Sequence, residues 1–185
     1  MDDGRAQVTL GAVVGGLDVV AQKRNENIWP DDSERPLAAA GEQKFRRVAR
    51  GLLRHVPEVR VVLSSPFVRT WRTAEILEQA GWPTLVPCEE LEPEYPPHKV
   101  LGAIARYEGL DSVAIVGPRP GLHELISYLL TGHTLGEDCG ACVQIRKGGA
   151  ARFFFDGPPE PSMGSLEWVL TPKALRRLGK RSGGG

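Results

Sequence analysis

The chain has 185 residues, of which 41% are hydrophobic and 25% charged; these are the values of a soluble globular domain large enough to bury a real core, and they exclude a disordered or collagen-like chain. Lys+Arg and Asp+Glu both number 23, so net charge supplies no argument for a nucleic-acid or membrane partner.

Val8 to Val14 reads as a first strand running into Gly15 and Gly16. The run Val8 to Ala21 is too short, too glycine-rich and, with Asp18, too polar for the ~20 apolar residues of a membrane span. Asp2 and Asp3 precede it where a signal peptide would carry positive charge, so no signal peptide is expected. Residues 22–37, with Pro30 and Pro36, form a loop. From Ala38 a helix follows, because Phe45, Val48, Ala49, Leu52 and Leu53 recur at helical spacing with Arg46, Arg47 and Arg50 between them. Pro57 ends it.

Val61-Val62-Leu63 is a short buried strand, followed by Ser64-Ser65-Pro66 and a second helix that Gly81 and Pro83 stop near Ala80. Leu85 and Val86 form a weak third strand. The next loop is acidic, with Glu89, Glu90, Glu92 and Glu94, and leads to a helix from His98 to Tyr107. Ser112 to Val116 is a fourth strand. Gly117 to Gly121 then turns into an amphipathic helix with Leu122, Leu125, Ile126, Leu129 and Leu130 on one stripe and Gly132 as C-cap.

Cys142–Arg146 and Ala151–Phe155 are expected to form a hairpin through Lys147-Gly148-Gly149. Leu166 to Leu170 is the last strand, and Thr171-Pro172 supplies an N-cap and N1 proline for a terminal helix. Strands alternating with helices predict an α/β fold: three layers, with a mainly parallel central sheet flanked by helices. Residues 1–172 are expected to form one domain. Residues 173–185 follow as a basic C-terminal helix (Lys173, Arg176, Arg177, Lys180, Arg181) and a flexible glycine tail. The tail reads as solvated, with room for an acidic partner or nucleic acid.

Three cysteines, an odd count, argue for a reducing cytoplasm rather than a disulfide framework. Cys139-Gly-Ala-Cys142 leads into a predicted strand, not a helix, and has only His133 and Asp138 nearby; no metal site and no redox pair is expected. The glycines from Gly11 to Gly16 lack a phosphate-loop or dinucleotide pattern, so no nucleotide cofactor is expected.

The segment Leu63-Ser64-Ser65-Pro66-Phe67-Val68-Arg69-Thr70-Trp71-Arg72-Thr73-Ala74 resembles the Ser-Ser-Pro-x-x-Arg-x-x-Gln-Thr-Ala signature of the histidine phosphatases. Asp32-Ser33-Glu34-Arg35-Pro36-Leu37 with Gly41 resembles the Asp-x-x-Arg-Pro-Leu element of the SixA branch. Val116-Gly117-Pro118-Arg119-Pro120, Lys147-Gly148 and Leu166-Glu167-Trp168-Val169-Leu170-Thr171-Pro172 follow in the family's order. The whole chain is thus similar to the SixA-type phosphohistidine phosphatases of the phosphoglycerate mutase-like superfamily.

That resemblance implies a phosphoric monoester or phosphoramidate hydrolase in which a histidine of an Arg-His-Gly triplet takes the phosphoryl group. Arginines and a second histidine surround the phosphate. The triplet falls here on Val14, Gly15 and Gly16, and the second histidine on Pro118. Of the core four only Arg69 remains. Loss of a covalent nucleophile costs on the order of a million-fold in rate, so the family's chemistry is expected to be absent. Arg35, Arg69, Arg72 and Arg119 are expected to rim a vestigial anion site that takes phosphate or sulfate weakly, bordered by the repelling glutamate loop. Arg72 stands where the family has Gln, and Arg119 where it often has Glu.

Of the remaining histidines, His55 and His133 fall at the wrong sheet edge. His98 and His123 follow strands and read first as surface residues. Three functions compete: a pseudophosphatase that binds or scaffolds a protein partner, a sensor of phosphate or a phospho-ligand without turnover, and a phosphatase of another mechanism using His98 or His123. No cofactor, membrane insertion or nucleic-acid partner is expected.

Overall fold

The computed structural model describes residues 9–15, 30–107, 109–135 and 143–180. Strand β1 (Thr9–Gly15) precedes α1 (Ala39–His55), β2 (Val61–Ser64), α2 (Val68–Ala80), β3 (Leu85–Pro87) and α3 (Pro97–Ala105). Then come β4 (Ser112–Gly117), α4 (Gly121–Thr131), β5 (Ala150–Phe154), β6 (Ser165–Leu170) and α5 (Pro172–Leu178). The strands form one sheet in the order β3-β2-β4-β1-β5-β6. β3, β2, β4 and β1 pair in parallel, and β5 runs antiparallel to both of its neighbours. Among the described residues, no helix is long and apolar enough to cross a membrane.

The alternation of side chains along the central strands creates the three layers. Val61, Leu63, Val113 and Ile115 point to one face and join Val100, Ile104, Leu125, Ile126 and Leu129 of α3 and α4. Val62, Ala114 and Val116 point to the other and join Phe45, Val48, Leu52, Ile76 and Leu77 of α1 and α2, with Leu175 of α5. Both faces of β2 and β4 are buried, which explains why these strands are continuous apolar runs rather than alternating ones.

Helix ends follow local chemistry. Gly132 closes α4 in the left-handed region at φ 76°, a conformation that costs glycine little. The Thr171 hydroxyl accepts from the Ala174 N–H at 3.3 Å ahead of Pro172, capping α5 as its sequence predicts. The helix then lies so close to α1 that a Cβ on Gly51 would stand 2.0 Å from the Leu175 carbonyl oxygen, and one on Gly179 2.4 Å from that of Arg47. Arg54 adds a clasp, its Nη1 donating to the carbonyls of Leu178 at 3.0 Å and Lys180 at 2.6 Å.

The hairpin expected between 142–146 and 151–155 does not form. Cys142 lies outside the described residues, and 143–149 carry no strand. Both hydrogen-bonding edges of β5 are taken, by β1 through Leu10 opposite Phe153 and by β6 from Ala150 opposite Leu170 to Phe154 opposite Ser165. No edge remains for a third strand. The segment instead buries Ile145 and closes a turn in which the Gly149 N–H donates to the Arg146 carbonyl at 2.7 Å. The antiparallel partner of β5 is β6.

Candidate functional site

The carboxyl ends of β1, β2 and β4 meet at one sheet edge. Gly15 is in register with Gly117, and Ser64 with Val116. The Ser65 N–H extends the ladder by donating to the Val116 carbonyl at 3.0 Å. Chain connections leaving β1 and β2 lead to helices on one face, and the connection leaving β4 leads to the other. Such a reversal opens a crevice outside the carboxyl ends, where ligands of open α/β sheets bind. Gly15, Pro118 and the Ser64-Ser65-Pro66 turn therefore share this edge. Pro118 is buried and its carbonyl accepts from the Leu122 N–H at 3.2 Å, opening α4; it offers no backbone donor of its own. Gly16 lies outside the described residues.

Arg69 sits in the first turn of α2, directly beyond that turn, with its side chain only 7% exposed. Its guanidinium lies 5.2 Å from the Phe67 ring centroid, a cation–π distance. Both terminal nitrogens are engaged by one residue: Nη1 donates to the Asp32 carbonyl, and Nη2 to Asp32 Oδ2 at 2.7 Å. A short 3-10 turn, Asp32–Glu34, presents these oxygens, capped where Asp31 Oδ1 accepts from the Ser33 N–H at 2.8 Å. Those bonds to Ser33 hold the Asp31 carboxyl below the usual carboxylate range. The other Asp32 oxygen pairs with Arg35 Nη2 at 2.9 Å, so one carboxylate bridges two of the four predicted rim arginines.

Arg72, one helical turn further, is held by two carboxylates. Its Nε and Nη2 fork onto Glu42 at 2.7 and 3.1 Å, and Nη1 donates to Glu75 at 2.8 Å. The fork from Arg72 draws the Glu42 carboxyl below its ordinary range, with Arg46 assisting against the cost of partial burial. The same partners push the guanidinium of Arg72 still further from deprotonation. Arg119 is exposed and lines a different cavity of about 540 Å³, shared with Lys44, Arg146, Lys147, Lys173 and Arg176. Arg35 and Arg69 thus meet through Asp32, Arg72 is tied to α1, and Arg119 faces another cavity.

The histidines divide as follows. His98 and His133 are exposed. His55 packs against Trp168 with ring centroids 5.0 Å apart. His123 departs from the expected surface residue: it is half-buried, and its Nε2 lies 3.2 Å from the Ile145 carbonyl, which can only accept. The ring joins α4 to the segment before β5. Burial and then the neighbouring Glu90 carboxylate push the Cys88 thiol up to about 12, away from the thiolate form.

The acidic segment after β3 borders the end of β2, since the Cys88 N–H donates to the Ser64 carbonyl at 2.9 Å. Within it Glu90 pairs with Arg106 at 2.8 Å, whereas burial, followed by Glu94 and Glu89, raises the carboxyl of Glu92. No group of three potential metal ligands occurs among the described residues; Cys139 and Cys142 lie outside them.

Two carboxylates that pair with the predicted rim arginines were missed from sequence, Asp32 and Glu42. Asp32 had a signal, since it opens the Asp-x-x-Arg-Pro-Leu element three residues before Arg35. Glu42 had none, because its partner lies 30 residues away on another helix.

No protein-family model matches the chain. An uncharacterized protein of Picosynechococcus sp. (strain PCC 7002) is 30% identical over 131 residues, covering 66% of this chain and 78% of that protein. Among solved structures, the protein histidine phosphatase SixA complexed with tungstate superposes with a TM-score of 0.71 over 91% of this chain and 99% of its own, at 24% identity. An alpha-ribazole phosphatase from Shigella flexneri superposes with a TM-score of 0.57 over 90% and 96% of the two chains, at 13% identity. A mutant phosphoserine phosphatase from Entamoeba histolytica, in complex with phosphoserine, does so with a TM-score of 0.57 over 91% and 98%, at 13% identity.

Proposed function

For a chain that belongs to the family of the Picosynechococcus protein and has the fold of the SixA-type histidine phosphatases, we propose a catalytically inactive histidine-phosphatase-like protein, a cytoplasmic pseudophosphatase whose 1–172 domain binds or scaffolds a protein partner. The observation that carries this reading is the register of Gly15 with Gly117, next to Pro118, at the sheet edge. Those are the positions at which the family resemblance calls for two imidazoles, and neither residue can accept a phosphoryl group or donate a proton to a leaving group. The grip of Asp32 on Arg69 supports it further. An internal carboxylate holds the guanidinium that a phosphate would need.

The histidines offer no substitute. The Ile145 carbonyl engages His123, and among the described residues no carboxylate orients the exposed His98 as a general base. The test is hydrolysis of phosphohistidine and of an aryl phosphate by the purified chain. Both are expected at background, with His98→Ala and His123→Ala changing nothing. Robust turnover that disappears in either variant would overturn the reading in favour of a different phosphatase mechanism.

One observation favours a second reading, a phosphate or phospho-ligand sensor. A buried guanidinium held by one carboxylate oxygen and one main-chain carbonyl of Asp32 is a site an anion can enter by displacing that carboxylate. Phosphate is then expected to bind at about millimolar strength, or about 4 kcal/mol.

A further inference from the structure

The seam between α1 and α5 collects charge that the strand-edge site does not use. Arg47, Arg50 and Arg54 stand at spacings of three and four on α1, so they share one helix face. Lys173, Arg176, Arg177 and Lys180 repeat that spacing along α5 and its end. The close approach at Gly51 and Gly179 brings the two stripes to opposite walls of one groove of about 890 Å³. Apart from Gly179, every described residue lining it is one of these seven cations. Among the described residues no carboxylate pairs with any of them.

Holding like charges this close is unfavourable unless a counter-charge enters. Five of the seven are arginines, whose planar forks stay charged and match the oxygens of phosphate. Each stripe spans seven residue steps, about 10 Å of helix. Over that length a short chain of linked phosphates concentrates about one charge on each internal unit and nearly two on a terminal one, whereas carboxylates come one to a side chain. The walls carry no aromatic ring on which a base could stack. The volume is that of a small-ligand pocket.

We infer that the α1–α5 groove binds a compact, soluble ligand bearing several linked phosphate groups. Lys173 and Arg176 also line the cavity bordered by Arg119, which continues the positive surface toward the strand edge for a longer phosphate chain. The site does not depend on the pseudophosphatase reading, because none of its residues belongs to the Asp32–Arg69 cluster.

Calorimetric titration of the full chain at constant ionic strength, with tripolyphosphate and with orthophosphate, tests it. Tripolyphosphate is expected to bind at least about ten times more tightly than orthophosphate, the margin that several simultaneous contacts should give over one. Arg50→Gln combined with Arg177→Gln should weaken it by about tenfold or more. These two side chains make no clasp like that of Arg54, so the double variant is expected to fold, which a thermal melt checks. Lys99→Gln, a cation on α3, should bind as wild type. Four outcomes would overturn the assignment: no preference for tripolyphosphate, a double variant that melts normally yet binds as wild type, binding removed by Arg69→Ala instead, or tighter binding of duplex DNA at matched phosphate concentration.

Discussion

The strand edge and the α1–α5 seam both concentrate arginine, and they treat it in opposite ways. At the edge, Arg69 and Arg35 share Asp32, and Arg72 is held between Glu42 and Glu75. At the seam, seven cations and no acid are among the described residues lining one groove. The edge is where the family resemblance points, yet its guanidinium groups are already satisfied inside the chain. The seam is where, among the described residues, no carboxylate meets the positive charge. The same residue type is thus paired with carboxylates at one place in the fold and set beside like charges at another.

The comparison breaks most severely at Gly51. A methyl group there meets the Leu175 carbonyl at 2.0 Å, and backbone cannot swing aside as a side chain can. Gly51→Ala is expected to cost about 3 kcal/mol in urea denaturation and to abolish tripolyphosphate binding by separating the two walls. Background-level phosphatase activity should be unaffected.

Asp32→Ala sharpens it from the other side. Removing the competing carboxylate frees Nη2 of the buried Arg69, while Nη1 keeps the main-chain carbonyl of residue 32. Orthophosphate affinity at the edge is expected to rise about tenfold, or about 1.4 kcal/mol, and adding Arg69→Ala should erase the gain. If Asp32→Ala binds phosphate no better than wild type, Asp32 is not what closes the site.

Arg72→Ala has the smallest expected effect. The pairs are partly solvated, so at pH 7 the loss should be about 1 kcal/mol. Arg72 holds the carboxyl of Glu42 below its unfolded value. A depressed carboxylate stabilises the fold above its unfolded pKa and loses that contribution as pH falls through the folded one. The gap between wild type and variant, measured by urea melts at pH 7 and pH 3, should therefore narrow at the lower pH. A constant gap would mean that Arg72 acts through packing alone.

Much of this architecture was legible because it rests on short-range patterns. The apolar runs of β2 and β4, the stripes of α1 and α4, the Thr171-Pro172 cap and Gly132 all follow from neighbours within a turn or two. The hairpin failed for the converse reason. Turn chemistry at Lys147-Gly148-Gly149 is local, but whether a strand can form beside β5 depends on whether its edges are free, and β1 arrives there from the other end of the chain.

The same division holds at the sites. The residue types at Gly15, Arg69 and Pro118 are a matter of sequence alone, and with them the lack of imidazole at two positions. The tertiary structure decided which charges meet: Asp32 reaches Arg69 across 37 positions, and Glu42 reaches Arg72 across 30. It also set the cations of the basic C-terminal helix along one wall of a groove. The arginines of α1 and the cations of α5 are visible separately in the sequence, but only the backbone contact at Gly51 and Gly179 sets them face to face. Propensity and periodicity act over a few residues, whereas electrostatic pairing depends on distances that folding alone establishes.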